Sequence, residues 1–263
     1  IKTIFKMTDS RTKISVVSYI NTWPFLYGIQ HFEEAQKTFN PQLDYPAECA
    51  RKIISGEVSM GLIPVGGLLL VPNYSIITDF CIGASKHVCT VMIFSNSPLK
   101  KIKKLILDYQ STTSVLLARI LVEKYWKLNL EYDYLSTETD VAAIANDSAV
   151  LIIGDRCFDL QKKFSYSADL ATAWNDFTGL PFAFAVWVAK RDVPENIIGV
   201  LQKSLKWGLS NTNAAIEKYN KPERLESTEI KSYLTNCIHF DLNAERKKAI
   251  EKFLTLAQTI TKK

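Results

Sequence analysis

Four short segments of this 263-residue chain combine hydroxyl, amide or carboxylate side chains with the turn chemistry that exposes them to a ligand. Ser18–Thr22 (SYINT) follows a β-branched run, and Asn21 there offers an amide to a ligand oxygen, although Asn21 and Thr22 equally suit a helix cap. Ser111, Thr112, Thr113 and Ser114 stand together where a strand gives way to an apolar helix. Hydroxyls and free N–H groups at a helix start bind carboxylate or phosphate, and the plainer alternative is capping of that helix. Asp155 follows Gly154 after the run AVLIIG, placed to bind a substrate hydroxyl, accept a proton, or cap the next helix. Thr178 and Gly179, in TGLP, form a turn that would line a cleft. Such groups suit binding an anion, or a reaction that needs little beyond positioning.

Other chemistries find no residues here. No GxGxxG follows a strand, and GxxxxGK[ST] and GxSxG are absent, which excludes the usual dinucleotide, P-loop and nucleophile-elbow sites. The three histidines, His31, His87 and His239, are far apart, so no metal site is expected. Five cysteines without a CxxC pair read as small buried hydrophobes in a reducing compartment. The net charge of +5 is scattered and thickens at Arg246, Lys247, Lys248 and Lys252 and at Lys262 and Lys263, read as a solvated helix face. No aromatic-interleaved basic patch points to nucleic acid. The segment before Lys13 is too charged for a secretory signal, Met7 reads as a natural start, and no apolar run is long enough to enter a membrane. A cytoplasmic protein without cofactor is the expectation.

The elements that must position these segments alternate between strand and helix. Strands are expected over 13–18, 58–63, 74–78, 87–95, 105–108, 132–135, 149–153 and 182–189. Helices are expected over 24–37, 46–56, 66–71, 115–127, 140–146, 168–175, 194–219, 227–237 and 243–260. That alternation predicts an α/β fold with largely parallel sheets. The long apolar strands at 87–95 and 182–189 read as two interlobe crossovers. They divide the chain into a discontinuous lobe 1 (12–94 plus 187–263) and lobe 2 (95–186), with the active-site cleft at the waist and a helical C-terminal tail.

Five segments in order carry a resemblance: VSYINTWPFLYGI (17–29), PAECARKIISGEVSMGLIPV (46–65), LDYQSTTSVLLARIL (107–121), LIIGD (151–155) and DLATAWNDFTGLPFAFAVWVA (169–189). Over about Lys13–Ala189 the chain resembles the chorismate dehydratase family of the futalosine route to menaquinone. The resemblance implies a type II periplasmic-binding-protein-like fold and a hydro-lyase that converts chorismate to 3-[(1-carboxyvinyl)oxy]benzoate and water, without metal or cofactor. It implies that Asn21 contacts substrate and that Thr90, in HVCTVMIFS, stands where the family usually carries Ser. The loop Ile82–His87 and Trp23 depart from the family pattern. No histidine lies in a matching motif, so the substrate's own side-chain carboxylate is a candidate base for the C3 proton. Competing readings are a solute-binding protein of the same fold, the sister enzyme dihydroxynaphthoate synthase, and the effector lobe of a transcription regulator. The motif YINTWPF weighs against the second.

Overall fold

The computed structural model describes residues 10–136, 139–221 and 225–261; Met7, Lys262 and Lys263 lie outside them. Strand β1 (Thr12–Val17) passes through a 3-10 turn (Ile20–Thr22) into α1 (Trp23–His31), with Pro24 in its first turn. The helix expected over 24–37 is two helices. Phe32 turns extended (φ −75°, ψ 122°) and α2 (Glu33–Thr38) begins after it. Then come β2 (Phe39–Asp44), α3 (Pro46–Ser55), β3 (Met60–Pro64), a 3-10 segment (Val65–Leu70) and β4 (Tyr74–Ala84). Helix α3 starts at Pro46 and stops at Gly56, whose φ of 75° closes the helix in the left-handed region.

The chain then builds β5 (Val91–Ser95), β6 (Lys104–Leu107), α4 (Thr112–Ile120), β7 (Glu131–Tyr134), β8 (Ser148–Ile153), α5 (Arg156–Leu160), β9 (Tyr166–Asp169) and α6 (Leu170–Thr178). It returns as β10 (Phe182–Lys190), α7 (Glu195–Ser210), α8 (Thr212–Tyr219), α9 (Ser227–Ser232), a π-helical turn (Tyr233–Cys237), β11 (His239–Asp241) and α10 (Ala244–Thr261). One sheet has the order β11-β4-β10-β3-β1-β2 and the other β7-β6-β8-β5-β9. In the first, β1 runs parallel to β2 and β3, and β10 antiparallel to β3 and β4. In the second, β6 is parallel to β7 and β8, and β5 antiparallel to β8 and β9.

The two-lobed α/β reading therefore holds, but its boundaries move. Strand β5 pairs entirely within the second sheet and β10 entirely within the first. The chain changes lobe in 85–90 and 179–181, ahead of each strand rather than at 94/95 and 186/187. Both strands are buried almost throughout, and an apolar run does not reveal which sheet covers it. Burial of each such side chain contributes about 1.5–3 kcal/mol.

Two glycines bring α1 and α7 into backbone contact. A Cβ at Gly28 would lie 2.0 Å from the Ser204 carbonyl oxygen, and one at Gly208 2.0 Å from that of Pro24. This crossing fixes the helix that follows the first loop. Two expectations fail nearby. Arg246 is no part of a solvated face. It is buried and donates to Asp241 and to Ser85 Oγ, because α10 packs on the lobe boundary. Cys89 and Cys237 form a disulfide across a separation of 148 residues, which no local spacing discloses. Cys49, Cys81 and Cys157 are buried and free, as expected, and burial pushes the Cys49 and Cys81 thiols up to about 12. Among the described residues no helix is long and apolar enough to cross a membrane.

Candidate functional site

Where the two sheets meet, the loops after β1 and β8, the start of α4 and the segment entering β5 surround a cavity of about 50 Å³. It lies where α/β sheets bind ligands, past strand carboxyl ends. Asn21, Thr90, Ser111 and Ser114 line it, with Tyr19, Gly154 and Phe184. Among the described lining residues there is no Asp, Glu, His, Lys or Arg.

Thr90 is held from behind. One oxygen of Asp169 accepts from the Val88 and Cys89 N–H groups at 2.9 and 2.8 Å, while its other oxygen caps α6. The Thr90 carbonyl accepts from Gly154 N at 2.9 Å. The Thr90 hydroxyl lies 2.7 Å from the hydroxyl of Tyr233. Burial drives the Tyr233 phenol far above its usual range. The Asn21 amide oxygen is buried and without a partner among the described residues.

Of the four hydroxyl residues at α4, the first and fourth face the cavity, as residues three apart share a helix face. Ser111 accepts from Ser114 N at 3.2 Å, so capping and cavity lining coincide. Thr112 does not line the cavity, and Thr113 is a strut between lobes. Its Oγ1 accepts from Gly66 N at 2.8 Å and donates to the Phe184 carbonyl at 3.4 Å. Asp155 does not line the cavity, and its side chain makes no capping bond to α5. Its carboxylate accepts from Ile20 N at 3.2 Å and ties the first loop to lobe 2. Thr178 and Gly179 do not line the cavity either. They close α6, Thr178 donating to the Trp174 carbonyl at 2.7 Å and Gly179 adopting φ 70°.

Sequence reasoning missed Tyr19, Gln110, Arg156 and Tyr233. The Tyr19 hydroxyl donates to Gln110 Oε1 at 2.8 Å, which also accepts from Arg156 at 3.1 Å. Arg156 pairs with buried Asp108. Asp108 accepts from the Gln110 and Ile153 N–H groups, and burial raises its carboxyl above the usual range. Tyr19 lies inside the segment Ser18–Thr22 and Gln110 directly before Ser111; Tyr233 lies in a helical tract with no signal of its own.

A model of the menaquinone biosynthesis family matches residues 12–259. A chorismate dehydratase of Thermus thermophilus is 26% identical over 211 residues, 73% of this chain and 77% of that protein. One from Campylobacter jejuni is 28% identical over 167 residues, 62% of this chain and 72% of that protein. Among solved structures, the alkanesulfonate-binding protein of Xanthomonas axonopodis pv. citri superposes with a TM-score of 0.66 at 13% identity, covering 95% of this chain and 93% of that one. The fold is thus the two-lobed type II periplasmic-binding-protein-like one.

Proposed function

This chain belongs to the menaquinone biosynthesis family, and from that premise we propose that it is a chorismate dehydratase, a hydro-lyase releasing water and 3-[(1-carboxyvinyl)oxy]benzoate. The futalosine route belongs to the same proposal. The observation that carries it is the cavity wall, which brings together Asn21 and a Thr90 held by the buried Tyr233 phenol and presents hydroxyls at a helix start without an ionised side chain.

The reaction removes the C3 proton and the C4 hydroxyl. The C3–H electron pair becomes the C3–C4 π bond as the C4–O bond breaks, and the ring becomes aromatic. The lining offers no base near neutral pH, since burial raises the Tyr19 phenol well above its ordinary value. The proton therefore passes to the substrate's own side-chain carboxylate. Asn21 and Thr90 hold the departing hydroxyl, and the N-terminus of α4 with Ser111 and Ser114 receives the ring carboxylate. Positioning supplies most of the acceleration.

The likeness to a sulfonate-binding protein favours one second reading, a non-catalytic binder of a small anion. Incubation of the purified protein with chorismate, followed by chromatography with mass detection, separates the two. A product lighter by one water with a benzoate spectrum supports the dehydratase. Unchanged chorismate with a raised melting temperature supports the binder.

A further inference from the structure

We infer that Tyr233 is a positioning residue for this dehydration: its hydroxyl sets which hydrogen-bonding role Thr90, across the cavity wall from Asn21, turns toward the substrate. The inference rests on the cavity being the dehydratase site. A phenol carries one proton, an amide has separate donor and acceptor ends, and a threonine hydroxyl is both. Thr90 Oγ1 donates its own proton toward the Val88 carbonyl, so the proton between the two hydroxyls is that of Tyr233. The single Tyr233 proton then goes to Thr90 Oγ1, 2.7 Å away. Thr90 is left with its own proton. Its other protein acceptor, the Val88 carbonyl, lies at 3.3 Å, and Thr90 lines the cavity.

The array runs from Tyr233 to Thr90. It leaves a donor on Thr90, beside the unpartnered acceptor of Asn21. An alcohol needs that pair, because its hydrogen seeks an acceptor and its oxygen a donor. The C4 hydroxyl of chorismate is the group on which they would converge. The Asn21 oxygen accepts its hydrogen while the Thr90 hydroxyl supports the oxygen as the C4–O bond breaks. Tyr233 is well placed to impose this order. It is fully buried, its ring meets Phe158 edge-on at 5.2 Å, and its helical turn ends at Cys237, bonded to Cys89 beside Thr90.

The test is steady-state kinetics of Tyr233→Phe on chorismate. The expected result is a kcat lower by about 10²-fold, the size of loss seen when reacting groups are misplaced. KM should stay within about threefold, because the lost interaction acts mainly in the transition state. Tyr233→Phe should also cost little more in a Thr90→Val background, since both act through one array. A variant with lowered thermal stability but unchanged kcat overturns the inference, as does full additivity with Thr90→Val. An inactive wild type instead overturns the functional reading, and this inference with it. One measurement needs neither substrate nor Tyr233→Phe. By proton NMR, the wild type should show a slowly exchanging Tyr233 hydroxyl resonance that Thr90→Val shifts or abolishes. An identical resonance in both proteins would show that the tether does not exist.

Discussion

Replacing Gly154 by alanine should disturb the cavity wall and destabilise the protein by an amount that can be worked from two separate terms. Gly154 has φ 68°, a left-handed conformation that costs an L-residue about 1–2 kcal/mol. A Cβ there would also sit 2.8 Å from two atoms of the Tyr19 ring and 3.0 Å from a third. The ring cannot simply swing away. Its hydroxyl is bonded to Gln110 at 2.8 Å, and the next residue's N–H is held by Asp155. Overpacking of this kind adds about 1–3 kcal/mol. The sum is about 2–5 kcal/mol, or a fall in melting temperature of about 4–20 °C for a chain of this size. Urea unfolding of Gly154→Ala and of the double variant with Tyr19→Ala separates the terms. Removing the ring should abolish the contact term and leave only the backbone cost. Turnover of chorismate should drop in Gly154→Ala, because the displaced ring carries the first loop with it. A loss under about 1 kcal/mol, or no coupling between the two positions, would refute the reasoning.

Three further outcomes are expected. Thr90→Ser should keep most of the turnover, whereas Thr90→Val should lose it and cost about 1–3 kcal/mol in urea unfolding, because the Tyr233 hydroxyl loses a buried partner. Reduction of the protein, or Cys237→Ser, should lower unfolding free energy by about 2–5 kcal/mol, the range for a bridge closing a long loop. Equal stability with and without reductant would count against the bond. His239 sits below the usual imidazole range, first through burial and then through Arg246 and His87, with Asp241 opposing. Its folded form gives up the proton more readily than the unfolded chain, so the stability it supports is present above about pH 6.5 and is lost as pH falls through the lower folded value. Melting temperatures of His239→Gln should accordingly depend less on pH between about 7.5 and 5.5 than those of the wild type.

Much of the fold is legible where burial leaves a period or a cap. Pro46 and Gly56 bracket α3, and the apolar runs of β8 and β10 announce central strands. Strand β2 is hidden because its sequence, FNPQLD, has a proline and no apolar alternation. An edge position tolerates both, since one side of the strand makes no ladder. Strand β9 is masked by the apolar start of α6, to which Asp169 is also the cap. At the site, local sequence marks the loops but not which way each side chain points. Ser111 and Ser114 line the cavity while Thr113 braces the lobes, a division set by helix phase rather than residue type. Asp155, Thr178 and Gly179 carry suggestive chemistry yet serve loop anchoring and helix closure. Tyr233 reaches Thr90 across 143 residues, and only the tertiary fold makes that pairing.

The most direct measurement is turnover of chorismate deuterated at ring C3, with the product identified by mass. Elimination in this cavity predicts a product lighter by one water that has lost its deuterium completely, with turnover falling about 10²-fold in Asn21→Ala. No product, a product that keeps the deuterium, or an Asn21→Ala variant as fast as the wild type would contradict the account.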